Sequence, residues 1–175
     1  GLTAQSTVGV AAVRTLDPDF IREQIRCCND DIGLDGVKTG MLATPELGGV
    51  VAASLAALPA EEEAPIVVDP VLRAESGAAL MTAGGEAAYT RELLHLATVT
   101  TPNLHEAQAL TGLSSTDPEL LARTIHDRHG CAAIVTGASS SVTAASSRAT
   151  GGSLTGSTVI VTVALSVPPR SSIAA

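Results

Sequence analysis

Aromatic side chains are almost missing from this 175-residue chain: Phe20 and Tyr89 are the whole complement, and there is no tryptophan. A stacking surface for nucleic-acid bases is thereby excluded. Any core must come from Val, Leu, Ile and the 29 alanines, the residues of helices packed on a buried sheet. Cysteine is scarce as well. Three thiols, two of them adjacent at Cys27 and Cys28, offer neither a paired framework nor a Cys-x-x-Cys or zinc spacing, which suits a reducing cytoplasm. Positive charge is in deficit, with 10 basic against 18 acidic residues and a net charge of -8. Bulk attraction to nucleic-acid backbones or anionic membranes is excluded, and a phosphate ligand must be held locally. No apolar run approaches the ~20 residues of a membrane helix; Val159–Leu165, near the end, has seven residues. The start, Gly1-Leu2-Thr3-Ala4, carries neither an initiator Met nor a basic, apolar leader and reads as the interior of a longer protein.

What is present is periodic. Short β-branched runs lie at Val37, Ile66–Val68, Val99 and Ile134–Thr136, at intervals of roughly thirty residues, the length of one βα unit. Between them stand helix starts of one design: Asp17-Pro18-Asp19, Thr44-Pro45-Glu46 and Asp117-Pro118-Glu119. In each, a side-chain oxygen takes an orphan N–H, proline has no N–H to leave unpaired, and the acid faces the positive end of the helix dipole. Leu47, Val50, Val51, Ser54, Leu55 and Leu58 continue the second start as a nearly apolar stripe, and Gly112 and Gly130 stand where helices should end. The pattern predicts an α/β fold, four parallel strands between residues 30 and 136 covered by helices.

Composition divides the chain in two. Residues 1–136 hold all 18 acids, whereas residues 137–175 are 15 parts in 39 Ser or Thr and carry only Arg148 and Arg170 as charges. The first segment reads as a partial domain. The second reads either as a flexible Ser/Thr-rich tail or as an aberrant end, with Thr158–Leu165 the one run of strand type. Glu61-Glu62-Glu63 is a solvated charge cluster ahead of the Ile66 strand.

In α/β sheets ligands lie beyond the carboxyl ends of the strands, so Gly40-Met41-Leu42, Asp69-Pro70-Val71, Thr101-Pro102-Asn103 and Thr136 are the positions of interest. Asp69 ends an apolar strand, where a carboxylate needs a cation or donors, or else serves as a cap. Asn103 and Glu106, three apart at a helix entrance, fit two readings. Both can face one ligand, the carboxylate toward a hydrated Mg²⁺, or they form a capping box that needs no ligand. His126, His129 and Cys131 lack a fourth metal ligand and read as a solvated helix end. No Gly-x-Gly-x-x-Gly or Walker sequence is present.

Four blocks, in order and in register, carry a family resemblance: Leu2-Thr3-Ala4-Gln5-Ser6-Thr7, Val37-Lys38-Thr39-Gly40-Met41-Leu42, Val68-Asp69-Pro70-Val71-Leu72 with Ser76-Gly77, and Thr101-Pro102-Asn103-Leu104-His105-Glu106-Ala107. Over residues 1–136 the chain resembles hydroxymethylpyrimidine/phosphomethylpyrimidine kinase of thiamine biosynthesis, a member of the ribokinase-like superfamily. The resemblance implies a cytoplasmic phosphotransferase with ATP as co-substrate and Mg²⁺ as cofactor. It implies that Gln5 binds the aminopyrimidine edge, that Met41 and Val71 line the pyrimidine pocket, that Asn103 and Glu106 serve the ATP phosphates, and that Glu106 with Asp69 stands at the metal. An amide suits that edge because it offers a donor beside an acceptor, while a thioether and an isopropyl group suit an apolar ring. A homodimer stays open as the macromolecular partner; nucleic acid and membrane do not.

Departures from the family pattern bear on rate. The glycine-rich first strand would precede Gly1, Thr136 stands where the family has Lys, and Arg73 takes a usually apolar place. Thr150-Gly151-Gly152-Ser153 and Thr155-Gly156-Ser157 are poor substitutes for the Gly-Thr-Gly-Cys-like turn whose N–H groups hold the transferred phosphoryl. No catalytic base is assignable, and turnover near background is expected. A pyridoxal-type kinase of the same superfamily and a non-catalytic remnant are the alternatives.

Overall fold

The computed structural model of the chain describes residues 2–58, 64–73 and 79–136, together with the backbone of 143–145. The Glu61–Glu63 cluster, Ser76-Gly77, the glycine-containing segments after Thr150 and the Thr158–Leu165 run lie outside the described residues.

Four strands run parallel, as the spacing predicts: β3 (Val37–Thr39), β4 (Ile66–Val68), β5 (Val99–Thr100) and β6 (Ala132–Val135) are adjacent in chain order. Thr39 pairs with Val68, Val68 with Thr100, and Thr100 with Ala133, so the carboxyl ends of all four strands reach one edge. A fifth strand, β7 (Thr143–Ala145), adds antiparallel to β6 from within the Ser/Thr-rich segment, where composition alone marks no strand there. Helices connect the parallel strands: α2 (Pro45–Ala56), α3 (Gly85–Ala88) and the pair α4 (Leu104–Thr111) and α5 (Pro118–His129).

Local chemistry sets the helix ends. The Asp17 carboxylate accepts from the Asp19 and Phe20 N–H groups at the start of α1 (Pro18–Ile32), Thr44 accepts from Leu47 N–H, and Asp117 accepts from Glu119 N–H. Gly112 and Gly130 close α4 and α5 at φ +68° and +75°, a left-handed region that costs glycine nothing. The apolar sides of α2, α4 and α5 meet the sheet in one core that includes Val51, Leu55, Val68, Leu110, Leu121, Ile125, Ala133 and Val135. Tyr89, 1% exposed, is its largest side chain.

Ahead of this body stands a hairpin, β1 (Leu2–Ser6) and β2 (Gly9–Arg14), antiparallel and forming its own two-stranded sheet. Every residue of β1 is exposed. Among the described residues no helix is long and apolar enough to cross a membrane.

Candidate active site

The site is built where β3, β4, β5 and β6 end. After β3 the chain enters the Gly40–Thr44 turn; after β4, Asp69-Pro70-Val71; after β5, Thr101-Pro102-Asn103; and after β6, Thr136. Backbone hydrogen bonds tie these ends together in sequence: Asp69 N–H to Thr39 O at 3.1 Å, Thr101 N–H to Val68 O at 3.1 Å, and Thr136 N–H to Pro102 O at 2.9 Å. Thus four segments separated by about thirty residues each arrive side by side because the strands are parallel and in register.

Glu106 is the buried charge of this edge. It is 6% exposed, and its carboxylate joins two segments. Oε2 accepts the Asn103 N–H at 2.9 Å, while Oε1 accepts the Leu72 N–H at 3.3 Å, from the loop that follows β4. The Asn103 side chain answers by accepting the Glu106 N–H at 2.9 Å, which completes a capping box. Of the two readings of this pair, the capping box is therefore realised, and it reaches further than a cap, since it also holds Leu72. Burial pushes the Glu106 carboxyl above the usual carboxylate range; the two N–H donors pull it back, and the neighbouring Asp69 charge pushes it up again.

Asp69 meets its cation on the adjacent strand, Lys38 Nζ lying 2.9 Å from Oδ2. Lys38 lies in the Val37–Leu42 block, and its partnership with Asp69 depends on β3 and β4 being paired with Lys38 opposite Val67. Met41 and Val71 are both half-buried, on the turns after the neighbouring strands β3 and β4. Thr39 Oγ1, buried at the end of β3, has no hydrogen-bond partner among the described residues. Gln5 belongs to none of β3, β4, β5 and β6. It is exposed on β1, in the separate two-stranded sheet, at the point where the hairpin register shifts. Thr136 forms a parallel bridge with Asn103, so a neutral hydroxyl stands where a lysine would bring positive charge.

Tyr89 was missed by sequence reasoning. Its hydroxyl donates to Gly40 O at 2.9 Å, and burial, with Asp69 as a second cause, pushes the phenol far above its ordinary value, so it stays a donor. Nothing in the residues around Tyr89 signals that contact, which spans 49 positions.

The sequence pattern of the phosphomethylpyrimidine kinase family matches residues 1–160. A hydroxymethylpyrimidine/phosphomethylpyrimidine kinase of Streptomyces coelicolor is 42% identical over 122 residues, which are 70% of this chain and 44% of that protein. Among solved structures, a phosphomethylpyrimidine kinase from Clostridium difficile 630 aligns with a TM-score of 0.72 at 27% identity, over 84% of this chain and 65% of that one. The pyridoxal kinase from Staphylococcus aureus in complex with pyridoxal aligns with a TM-score of 0.65 at 29% identity, over 83% and 54%. The chain thus spans less than half the length of the Streptomyces relative.

Proposed function

The chain belongs to the phosphomethylpyrimidine kinase family, and from that premise we propose that it serves the ATP-dependent phosphorylation of hydroxymethylpyrimidine and its phosphate, in the cytoplasm, for thiamine biosynthesis. In the first transfer the hydroxymethyl oxygen bonds to the γ-phosphorus of ATP, the bond from that phosphorus to the β,γ-bridging oxygen breaks to release ADP, and the hydroxyl proton passes to solvent; in the second transfer a phosphate oxygen of the monophosphate is the acceptor. The observation that carries the reading is the convergence of the Met41, Val71 and Glu106 segments on one edge of a parallel sheet, tied by the Glu106 to Leu72 hydrogen bond. Met41 and Val71 supply apolar surface for the ring, and Asn103 and Glu106 stand toward the nucleotide phosphates. Gln5 completes the ring contacts on the strength of the family resemblance alone.

Magnesium fits this edge in one mode. Among the described residues no group of three or more His, Cys, Asp or Glu forms a cage. Mg²⁺ keeps most of its waters and takes one or two carboxylates together with substrate phosphates; Asp69, at the end of β4, and Glu106, bonded to the same loop through the Leu72 N–H, would be the residues that hold it. When bound, the ion neutralises charge on the phosphates. Lys38 beside Asp69 supplies a second cation at the same edge.

Self-association through the hairpin is part of this proposal: a lone two-stranded ribbon is marginal in water, Leu2, Val8 and Val13 are 58%, 90% and 39% exposed, and a second copy of the chain is the partner we assign to them. A pyridoxal-type acceptor is the second reading, favoured by the likeness to the Staphylococcus aureus enzyme. Calorimetric titration with hydroxymethylpyrimidine, pyridoxal and Mg·ATP tests the whole. Saturable hydroxymethylpyrimidine binding that weakens in Met41→Ala supports the proposal; tighter binding of pyridoxal, or no binding of the pyrimidine, refutes it.

A further inference from the structure

Three features meet at the turn after β3. Tyr89 Oη donates to Gly40 O at 2.9 Å, and Thr82 N–H donates to Ala43 O at 3.1 Å, so two bonds from one segment bracket Met41 and Leu42. Inside the bracket, Thr44 N–H donates to Leu42 O at 2.9 Å, closing a three-residue turn around Ala43. Ala43 has φ +69° and is the one residue other than glycine with positive φ among those described. That form of turn is rare and strained for a residue bearing a Cβ, and such strain persists only where the surroundings impose it. The imposing segment is itself irregular. Just after α3 the helix widens at Tyr89–Leu93, with Leu94 N–H bonding back five residues to Tyr89 O at 3.0 Å. Single wide turns of this kind are frequent at functional sites.

We propose that Tyr89 is a positioning residue: through its hydroxyl it holds the Gly40–Thr44 turn in its strained shape and so fixes Met41 against the substrate ring. The claim rests on the reading of Met41 as a ring contact, and it adds a residue that touches no substrate. Its working part is one hydroxyl. Tyr89 is 1% exposed and its ring fills the core, so Tyr89→Phe keeps the packing and removes only the hydroxyl's polar contacts with the turn, the bond to Gly40 O and the interaction with the Leu42 backbone.

Two measurements on the purified 175-residue chain separate the outcomes. Amide hydrogen exchange is followed at Thr44, and at Val68 and Thr100 as core controls. In Tyr89→Phe, Thr44 is expected to exchange about tenfold faster while the controls keep their rates, because the loss is local. Calorimetry with hydroxymethylpyrimidine is expected to show Kd raised about five- to tenfold, on the scale of one lost hydrogen bond, with the Mg·ATP Kd unchanged. Unchanged exchange at Thr44, or equal acceleration at all three amides, overturns the positioning role. Unchanged pyrimidine affinity alongside faster Thr44 exchange overturns the link to Met41. If the unmodified chain binds no pyrimidine, the substrate reading fails and that link with it, while the exchange data still decide whether Tyr89 holds the turn.

Discussion

Replacing Glu106 separates a capping and bridging role from a purely ligand-binding one. The carboxylate is 6% exposed and accepts two backbone N–H groups, from Asn103 at 2.9 Å and from Leu72 at 3.3 Å. In Glu106→Ala the Asn103 contribution, a capping interaction, is about 0.5–2 kcal/mol. The Leu72 N–H, left buried without an acceptor, costs a further ~1–3 kcal/mol. Against this, the desolvation that raises the carboxyl pKa disappears with the group, so the net loss is expected at about 1–4 kcal/mol. Glu106→Gln keeps one acceptor oxygen but turns an NH₂ toward the other N–H, for a loss of about 1–3 kcal/mol. Urea unfolding at fixed pH measures both. The pH dependence has a definite sign. The folded-state pKa lies above the unfolded value, so the stability linked to Glu106 is complete below the ordinary carboxylate pKa and is lost as pH rises through the raised one. Glutamine does not titrate. The deficit of Glu106→Gln relative to the parent should therefore be largest in acid and narrow as pH rises. An alanine variant within about 0.5 kcal/mol of the parent, the range of ordinary surface changes, would refute the bridging role, and a deficit that widens with pH would refute the assigned cause of the shift.

Three further outcomes are expected. A Cβ built at Gly85 lies 1.8 Å from Met81 Cγ and 3.1 Å from its Cβ, so Gly85→Ala should cost about 1–3 kcal/mol in thermal or urea unfolding; the same loss persisting in a Met81→Ala background would contradict that origin. Gln5→Ala should weaken hydroxymethylpyrimidine binding by about 1–3 kcal/mol through unpaired ring polar groups, read by calorimetry; unchanged affinity removes Gln5 from the site. The purified 175-residue chain should phosphorylate hydroxymethylpyrimidine at or near background, because one missing anion-hole donor alone costs ~10²–10³ in rate and Thr136 stands where the family pattern has Lys; robust turnover abolished by Glu106→Ala would show that residues after Thr136 supply those groups.

Residues at the strand ends show how far one sequence can be read. The three Pro-containing helix starts and the two closing glycines act within one turn, and each is found as its residues predict. Asn103 and Glu106 were legible as a pair three apart, because a helix entrance puts them on one side whatever else the chain does. Their reach to Leu72 was not legible, since it spans 34 positions and depends on how the β4 loop folds over α4. Lys38 as the partner of Asp69 and Tyr89 as the anchor of Gly40 belong to the same class of contact.

By itself the sequence determined the alternation of strand and helix, the parallel order that follows from thirty-residue spacing, and the family to which the chain belongs, since capping, periodicity and motif order are written in neighbouring residues. Only the tertiary structure decided which carboxylate is buried and bridging, which is paired with a lysine, and that the Tyr89 hydroxyl reaches the Gly40 carbonyl. It also set the hairpin bearing Gln5 in a sheet of its own and added β7 from a segment whose composition marks no strand at that point. The physical reason is range: a cap or a stripe is settled within a few residues, whereas a contact between loops follows from strand register, which fixes every cross-strand neighbour at once.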